Sequence, residues 1–461
     1  MKKLFLVSTA IIGLTVGHAQ TNVSGGIYSN TTWLKANSPY IVTDTVVVFP
    51  NVTLTIQPGV TIKFANNKRL EIRQAKLIAI GTATDSITFT SNSPTPSLGI
   101  WSGIYLNPNT SNHTHKFSYC NFKYAHNAID KEYNDSLIIK HSSFKDNYTG
   151  IGNDYVYGID NVFIDTSSFI NNVCGIGSYV NNPAGTRLVG GKIDSCNFSS
   201  NQNTGILTQS TDVKNSIFYS NQIGVFSQGG GTTITNCIIS YNTMAGIESD
   251  VGTNTIQNCQ IKYNDIGIKD YSYQSGNLYT QNIIDNNNIG IRIEGNTYNP
   301  ARNIYCNRIC ANTTYDFYNN ATWAISIPQN YWCTSDSTST TAVIYDGYDN
   351  INLGLVSFMP LDTICSPNIL TNINENNSIK NTINIFPNPF SAQTTLETAI
   401  PLTNATLTVD NYFGQTVAQI KHISGQTVTF SRDNLASGLY FVRLTEENKT
   451  IAVDKLVITD R

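Results

Sequence analysis

Four residues with titratable side chains recur at one position of a repeating pattern. Lys140, Asp165, Asp194 and Lys214 occupy the same place in four successive repeats, and His141 follows Lys140 directly. If the repeats stack as parallel strands about 4.8 Å apart, the two carboxylates become neighbours with an ammonium group on either side. Such a carboxylate pair fits a retaining glycosidase or a calcium site, and the flanking lysines could bind an acidic sugar.

The same four charges also suit an ordinary solvated surface. Lysines at both ends of the column would offset the repulsion between two stacked aspartates. His113 and His115 lie close together on an expected strand, but no third ligand stands near them and no CxxC pair occurs in the chain. Protein zinc sites need more ligands than this. We therefore expect no metal or other cofactor. Calcium is the exception, because the aspartate pair could bind it.

These residues belong to a repeat of about 22 residues that runs from Phe117 to Asn312. Each of nine units contains an inward apolar residue, here termed the anchor, with another apolar or aromatic residue five positions earlier and a Cys, Ser or Asn two positions earlier. Apolar residues that alternate over short runs between Asn and Gly favour strands and turns over helices. The anchors are Phe122, Phe144, Phe169, Phe198, Phe218, Ile239, Ile261, Ile284 and Ile309.

Asparagine stands three residues after the anchor in eight of the nine units. Stacked coils would place these amides in one column, where each side chain can bond with the coils above and below. We therefore predict a structural ladder rather than a chemical site. Its members are Asn147, Asn172, Asn201, Asn221, Asn242, Asn264, Asn287 and Asn312.

This order of strand, Asn-bearing turn and second short strand resembles the right-handed parallel β-helix family, in its pectate-lyase-like form. The resemblance covers about residues 40 to 360 and implies an all-β solenoid. Members of that family include polysaccharide lyases and hydrolases, which work from a groove on the outer face of the stacked strands. The distinctive motifs of pectinases and pectate lyases are absent from this sequence.

The two ends of the chain suggest export. Residues 1–19 begin with Met1-Lys2-Lys3 and an apolar run, which is typical of a cleaved signal peptide. No later stretch is long and apolar enough for a transmembrane anchor of the mature chain. With a net charge of −3 and no basic run, the sequence predicts no nucleic-acid partner.

A change of composition marks a second domain. We expect the β-helix over residues 20–365, an Asn-rich linker over 366–381 and a small antiparallel β-sandwich over 382–461. Segments such as Ile385-Phe386-Pro387-Asn388-Pro389 and Gly438-Leu439-Tyr440-Phe441 resemble the type A C-terminal sorting domain of the type IX (Por) secretion system. The resemblance implies that residues 382–461 engage the type IX machinery, which delivers the protein to the outer-membrane surface or the medium.

The chain contains nine cysteines. Cys120, Cys196, Cys237 and Cys259 share the column two residues before the anchor, where we expect small buried thiols without disulfides. The remaining candidates for a bridge cluster near the end of the solenoid. We predict Cys333 with Cys365 as the pair.

Two functions stay open at this stage. The neutral exterior, rich in Asn, Ser and Thr, and the incomplete catalytic set favour a secreted or surface-displayed protein in adhesion or glycan binding. Alternatively, the chain is a polysaccharide lyase or hydrolase with a site that includes Lys140, His141, Asp165, Asp194 and Lys214. A cleft formed over that column by the loops at residues 153–160 and 179–187 would favour the enzyme.

Overall fold

A computed structural model describes residues 20–107, 112–132, 134–153, 158–177, 186–271, 276–295, 301–361, 384–411, 416–446 and 449–460. The chain divides into two compact units between residues 369 and 370. The expected signal peptide (1–19), linker (366–381) and Cys365 lie outside the described residues.

The first unit is a parallel β-solenoid in which each coil contributes three short strands. One strand per coil forms a sheet with 12 strands among the described residues, here termed the groove sheet. Its strands are Thr31–Trp33, Thr53–Ile56, Lys76–Ile80, Thr114–Ser118, Ser136–Lys140, Val162–Asp165, Lys192–Asp194, Asp212–Lys214, Thr233–Thr235, Thr255–Gln257, Asn277–Thr280 and Arg302–Tyr305.

The other two strands of each coil lie before and after the asparagine turn, in a sheet with 27 strands among the described residues. The anchor row, which carries the anchors, comprises Thr21–Ile27, Tyr40–Val48, Thr61–Phe64, Ile87–Ser91, Cys120–Lys123, Ser143–Lys145, Ser168–Ile170, Asn197–Ser199, Ile217–Tyr219, Ile238–Ser240, Gln260–Lys262, Ile283–Asp285 and Arg308–Cys310. The glycine row, after the turn, comprises Arg69–Arg73, Trp101–Asn107, Ala125–Lys131, Thr149–Gly152, Gly158–Asp160, Cys174–Ile176, Arg187–Val189, Thr204–Gln209, Ile223–Ser227, Ala245–Ser249, Ile266–Asp270, Ile289–Gly295, Tyr315–Ala321 and Ile344–Tyr345.

A few short elements complete this unit. The strands Ile325–Ser326 and Val356–Ser357 pair with each other near its end. A 3-10 helix spans Lys35–Asn37, and an α-helix spans Ser337–Thr341. The expected parallel solenoid is therefore confirmed, with very little helix in the described residues.

Stacked rings fill the core of the anchor row. Phe89, Phe122, Phe144, Phe169 and Phe198 lie in consecutive coils and are fully buried. Their ring centroids are 4.5–4.9 Å apart and their planes are nearly parallel, and Phe218 continues the stack. From Ile239 onward the anchor is isoleucine. Ile239 itself pairs in register with Phe218. Because every coil places its anchor at one register, the core is continuous along the solenoid axis.

The Gly-aliphatic pairs after the turn have a steric origin. A Cβ at Gly205 would lie 2.5 Å from the carbonyl oxygen of Gly224, and one at Gly224 would lie 2.6 Å from that of Gly246. Neighbouring backbones therefore approach too closely here for any side chain. The aliphatic residue that follows, such as Ile206 or Val225, is buried in the core.

The eight predicted ladder asparagines form one hydrogen-bonded column. The Nδ2 atoms of the first seven each donate to the asparagine Oδ1 of the next coil at 2.8–3.1 Å. At the first end, Asn147 Oδ1 accepts from the backbone N–H of Ala125, the unit without asparagine. At the other end, Asn312 Nδ2 donates to Asp316 Oδ1 at 2.8 Å. A carboxylate therefore closes the column where the asparagines end.

The column two residues before the anchor is a second ladder. The backbone N–H of Ser142 donates to Ser167 Oγ at 3.1 Å, and that of Cys259 donates to Asn282 Oδ1 at 2.9 Å. Asn307, in the last expected unit, bonds in turn to Asn330, which extends this ladder beyond the expected units. The side chains therefore satisfy backbone donors at the turn, a role that the sequence interpretation of this column as small buried residues did not include.

The cysteine pairing differs from the prediction. Cys310 bonds to Cys333, with their Cα atoms 5.9 Å apart. The predicted pair Cys333–Cys365 is therefore wrong, because Cys333 lies beside the last anchor strand, next to Cys310 in space. Cys120, Cys196, Cys237 and Cys259 are buried free thiols.

The second unit is a small antiparallel, sandwich-like β domain. Its strands are Asn384–Phe386, Gln393–Asn411, Thr416–Ser431, Gly438–Glu446 and Lys449–Ile458. Leu396, Leu407, Val442 and Leu456 belong to its own buried core. Asn388 accepts from the backbone N–H of Val457 and donates to the carbonyl of Lys455, both at 2.8 Å, so its first turn is fastened to its last strand.

Candidate functional site

The four charged residues singled out in the sequence lie side by side on the outer face of the groove sheet. Lys140 pairs in register with Asp165, Asp165 with Asp194, and Asp194 with Lys214. Inward neighbours hold the strands in this register, since Ile139, the core residue before Lys140, pairs with Ile164. The repeat therefore brings these four side chains to one surface.

Each aspartate of the column accepts hydrogen bonds from the turn beside it. Thr166 Oγ1 donates to Asp165 Oδ1 at 2.8 Å, and Lys140 Nζ lies 3.9 Å from Asp165 Oδ2. Asp194 Oδ1 accepts from Ser195 Oγ at 2.9 Å and from Asn215 Nδ2 at 2.8 Å. The side chain of Asp165 is 44% exposed.

A second column of outward side chains lies beside the first, and the sequence-based prediction did not include it. Phe163, Lys192 and Asp212 lie two residues before Asp165, Asp194 and Lys214 and pair with one another in register. Strand residues two apart share one face of a sheet, so this spacing was the available signal. The two columns line an open groove of about 420 Å³.

The second column adds an aromatic ring and a cation to the groove. Phe163 is 40% exposed, which is unusual for a phenylalanine. Asp212 pairs with Lys214 at 2.8 Å, and the hydrogen bond to Asp212 raises the pKa of Lys214. Lys192 makes no ion pair with any described residue. The groove therefore offers an apolar ring next to an ammonium group that forms no ion pair within the described part of the chain.

His141 does not join the cluster. It occupies the left-handed turn after Lys140, with φ of 49°, and its ring stacks on Tyr119 at 4.8 Å. The residues lining the groove include neither His141 nor another histidine. A base of that kind is thus missing from the described groove.

Of the pair His113 and His115, the second has a structural role. His115 is fully buried; its Nε2 lies 2.9 Å from Asp135 Oδ2, and its Nδ1 accepts from the backbone N–H of Leu77 at 3.3 Å. Burial lowers the pKa of His115. In the described part of the chain, no group of three or more His, Cys, Asp or Glu side chains is arranged to hold a metal ion.

Comparison with protein families matches both units. Residues 25–121 match the pectate-lyase-like β-helix domain, and residues 206–336 match the right-handed β-helix region. Residues 384–459 match the secretion system C-terminal sorting domain. The chain is a right-handed β-helix protein with a C-terminal sorting domain. This tail marks the β-helix protein for export by type IX secretion.

Individual relatives are distant. Protein bark beetle of Drosophila melanogaster is 40% identical over 83 residues, which is 18% of this chain and 3% of that relative. The mannuronan C-5 epimerase AlgE4 A-module of Azotobacter vinelandii is 11% identical with a TM-score of 0.35, covering 75% of this chain and 89% of that one. An alginate lyase from Paenibacillus sp. str. FPU-7 is 13% identical with a TM-score of 0.27, covering 68% and 93%.

The β-helix protein has no membrane-spanning helix among its described residues: none is long and apolar enough to cross a bilayer.

Proposed function

We propose that the β-helix is a surface-displayed or secreted module that binds glycan without cleaving it and so serves in adhesion. The observation that carries this proposal is the open groove in which exposed Phe163 lies beside Lys192. The sorting domain supports the cellular part of the proposal, because it directs the chain out of the cell.

The groove has the chemical groups that a sugar chain needs. An exposed aromatic ring can cover the apolar face of a pyranose. The ammonium of Lys192, which has no carboxylate partner among the described residues, can take a uronate carboxylate. Lys140 and Lys214 are partly neutralised by Asp165 and Asp212, so they add less attraction. We infer that the ligand is an acidic polysaccharide lying across the strands.

The same geometry argues against catalysis. A glycosidase needs one carboxyl group that stays protonated, which burial in an apolar site normally provides. Asp165 is instead exposed and accepts a hydroxyl hydrogen bond, and Asp194 accepts two hydrogen bonds. No described histidine lines the groove to act as a base.

One observation supports polysaccharide cleavage as the second candidate. Asp165 and Asp194 occupy equivalent positions in adjacent strands, with lysines on either side. A nucleophile and an acid placed at this spacing would suit a retaining mechanism.

Binding of polygalacturonate and alginate by the full mature chain tests the proposal. We expect Phe163→Ala and Lys192→Ala each to weaken binding by about tenfold or more, as lost stacking and charge contacts imply. Ile217→Ala and Lys145→Ala alter exposed residues on the anchor row and serve as matched controls. Unchanged affinity in both groove variants would overturn the proposal.

A depolymerisation assay on the same polymers separates the two candidates. Both reducing ends and the absorbance of unsaturated products should be followed, with and without calcium. Cleavage that disappears in Asp165→Asn or Asp194→Asn would establish the enzyme in place of the binding module. Binding without cleavage is the result that we expect.

A further inference from the structure

The outer face of the glycine row carries a second set of charged and aromatic side chains. Glu248 pairs in register with Lys269, Lys269 with Arg292, Arg292 with Tyr318, and Tyr318 with Tyr345. These five residues, here termed the Glu248 row, follow one another in successive coils. The row lies on different strands from the groove and shares no residue with it.

Glu248 is the most unusual member of the row. It is only 3% exposed, and its Oε2 has no hydrogen-bond partner among the residues that the structure describes. The nearest cation is Lys269, whose Nζ lies 3.8 Å from Oε1. Burial raises the pKa of this carboxyl group, although Lys269 opposes the shift. A buried carboxyl oxygen without a partner is costly in a folded protein, and a bound hydroxyl group would satisfy it.

The cations of the row already have partners. Arg292 Nε lies 2.6 Å from Glu294 Oε1, and its guanidinium lies over the Tyr318 ring at 5.1 Å from the centroid. Lys269 lies over the Tyr271 ring at 5.0 Å. Together with the Glu248 contact, these pairings leave the row close to neutral. A strongly anionic ligand would therefore gain little here.

The end of the row is an aromatic surface. Tyr318 and Tyr345 stack with centroids 4.5 Å apart, and both rings are partly exposed. Tyr315 lies 5.1 Å from Tyr345 at an inclined angle. Rings with a polar tip and an apolar face are suited to the hydroxyl and C–H surfaces of a sugar.

We propose that the Glu248 row is a second carbohydrate site, which takes a neutral pyranose chain. Glu248 Oε2 is covered in this structure, so the side chains over it would turn aside to admit the sugar. One hydroxyl group would then donate to this oxygen and another would accept from Lys269. The sugar rings further along the chain would pack on Tyr318 and Tyr345. This site is independent of the groove, so a chain of neutral sugars and an acidic polymer could occupy the two faces together.

Calorimetric titration of the full mature chain with cellohexaose, xylohexaose and mannohexaose tests the proposal. We expect at least one hexasaccharide to bind, and Glu248→Gln and Tyr345→Ala each to weaken it about tenfold or more, as loss of a buried polar contact or a stacking ring implies. Phe163→Ala in the groove should leave this binding unchanged. Thermal unfolding of each variant checks that the solenoid is intact.

A footprint on the unchanged protein gives a second readout that needs no variant. Acetylation by acetic anhydride should be slower at Lys269 when the hexasaccharide is present, whereas Lys192 in the groove should react as before. Binding to none of the three sugars, or binding unaffected by both variants, would overturn the second site. Loss of alginate binding in Phe163→Ala concerns only the groove, so the two proposals fail separately.

Discussion

Asp165 lies directly opposite Asp194 on adjacent parallel strands, and no cation separates the two positions. Two like charges directly opposite each other destabilise a sheet by up to about 1 kcal/mol. Asp194→Asn keeps an oxygen for Ser195 and Asn215, so we expect thermal unfolding to shift upward by about 1 °C, and less in 1 M salt.

Asp212→Asn is the control for that substitution. Asp212 pairs with Lys214 at 2.8 Å, so removing its charge should not raise the unfolding temperature. A lower unfolding temperature for Asp194→Asn would contradict the assigned repulsion.

Asn221 lies in the middle of the asparagine ladder. Its Nδ2 donates to Asn242 Oδ1 and to the Phe198 carbonyl, and its Oδ1 accepts from Asn201. Asn221→Ala leaves several buried groups unpaired, and we expect it to lower the free energy of unfolding by about 3 kcal/mol. Asn288→Ala, an exposed asparagine in a later coil, should stay within about 0.5 kcal/mol. If calorimetry shows that both variants lower the free energy of unfolding by the same amount, the ladder does not have this stabilising role.

Asp316 accepts the last hydrogen bond of that ladder, and its contribution to stability depends on pH. Burial raises its pKa from 3.8 to about 6, against the hydrogen bonds from Asn312. Since the folded pKa is the higher one, stability is greatest when the group is protonated and falls as pH rises from about 4 to about 6, by up to about 3 kcal/mol.

Asp316→Asn keeps an oxygen acceptor and removes the charge. We therefore expect the variant to unfold at a higher temperature than the natural protein at pH 7.5, with a much smaller difference at pH 4. An equal difference at both pH values would show that the carboxylate is not the cause.

The bridge between Cys310 and Cys333 closes a loop with a separation of 23 residues. Peptide mapping under non-reducing conditions should recover this pair. Cys333→Ser should lower stability by about 3 kcal/mol, because the unfolded chain gains freedom. Cys120→Ser, in a column where serine occurs naturally, should have little effect. Recovery of Cys333 joined to Cys365 would refute the pairing.

Removal of residues 382–461 should stop export. The match of residues 384–459 to the sorting domain family predicts that the truncated β-helix accumulates in the periplasm of a host with type IX secretion. Fractionation with antibody detection measures this, and a fluorescent protein fused to residues 366–461 should appear outside the cell. Normal secretion of the truncated chain would show that the tail is dispensable.

The sequence predicts the solenoid well because equivalent positions repeat. Lys140, Asp165, Asp194 and Lys214 share one offset from their anchors, and in-register stacking then places them together. His141 stands one position later in its repeat, where a left-handed turn begins and carries its ring away. The distance of a residue from its anchor thus predicts side-chain direction better in strands than in turns.

Features outside the repeat were harder to predict. Cys333 lies in the closing segment after the last predicted unit; it follows Cys310 by 23 residues, close to the repeat period, but the predicted repeat ended before it. Glu248 follows a Gly-Ile pair within the repeat, so the position after each such pair was the available signal. What the sequence does not reveal there is burial, since Glu248 is only 3% exposed although it lies on the outer face of its strand.

The asparagine ladder also bears on how such a chain changes length. Asn221 and Asn242 are chemically equivalent and 21 residues apart, so joining the chain before one to the chain after the other deletes a whole rung. The amide of Asn201 would then meet that of Asn242 in the same geometry. Recombination between repeats can therefore shorten or extend the protein by whole coils, and each coil gained lengthens the surface presented outside the cell.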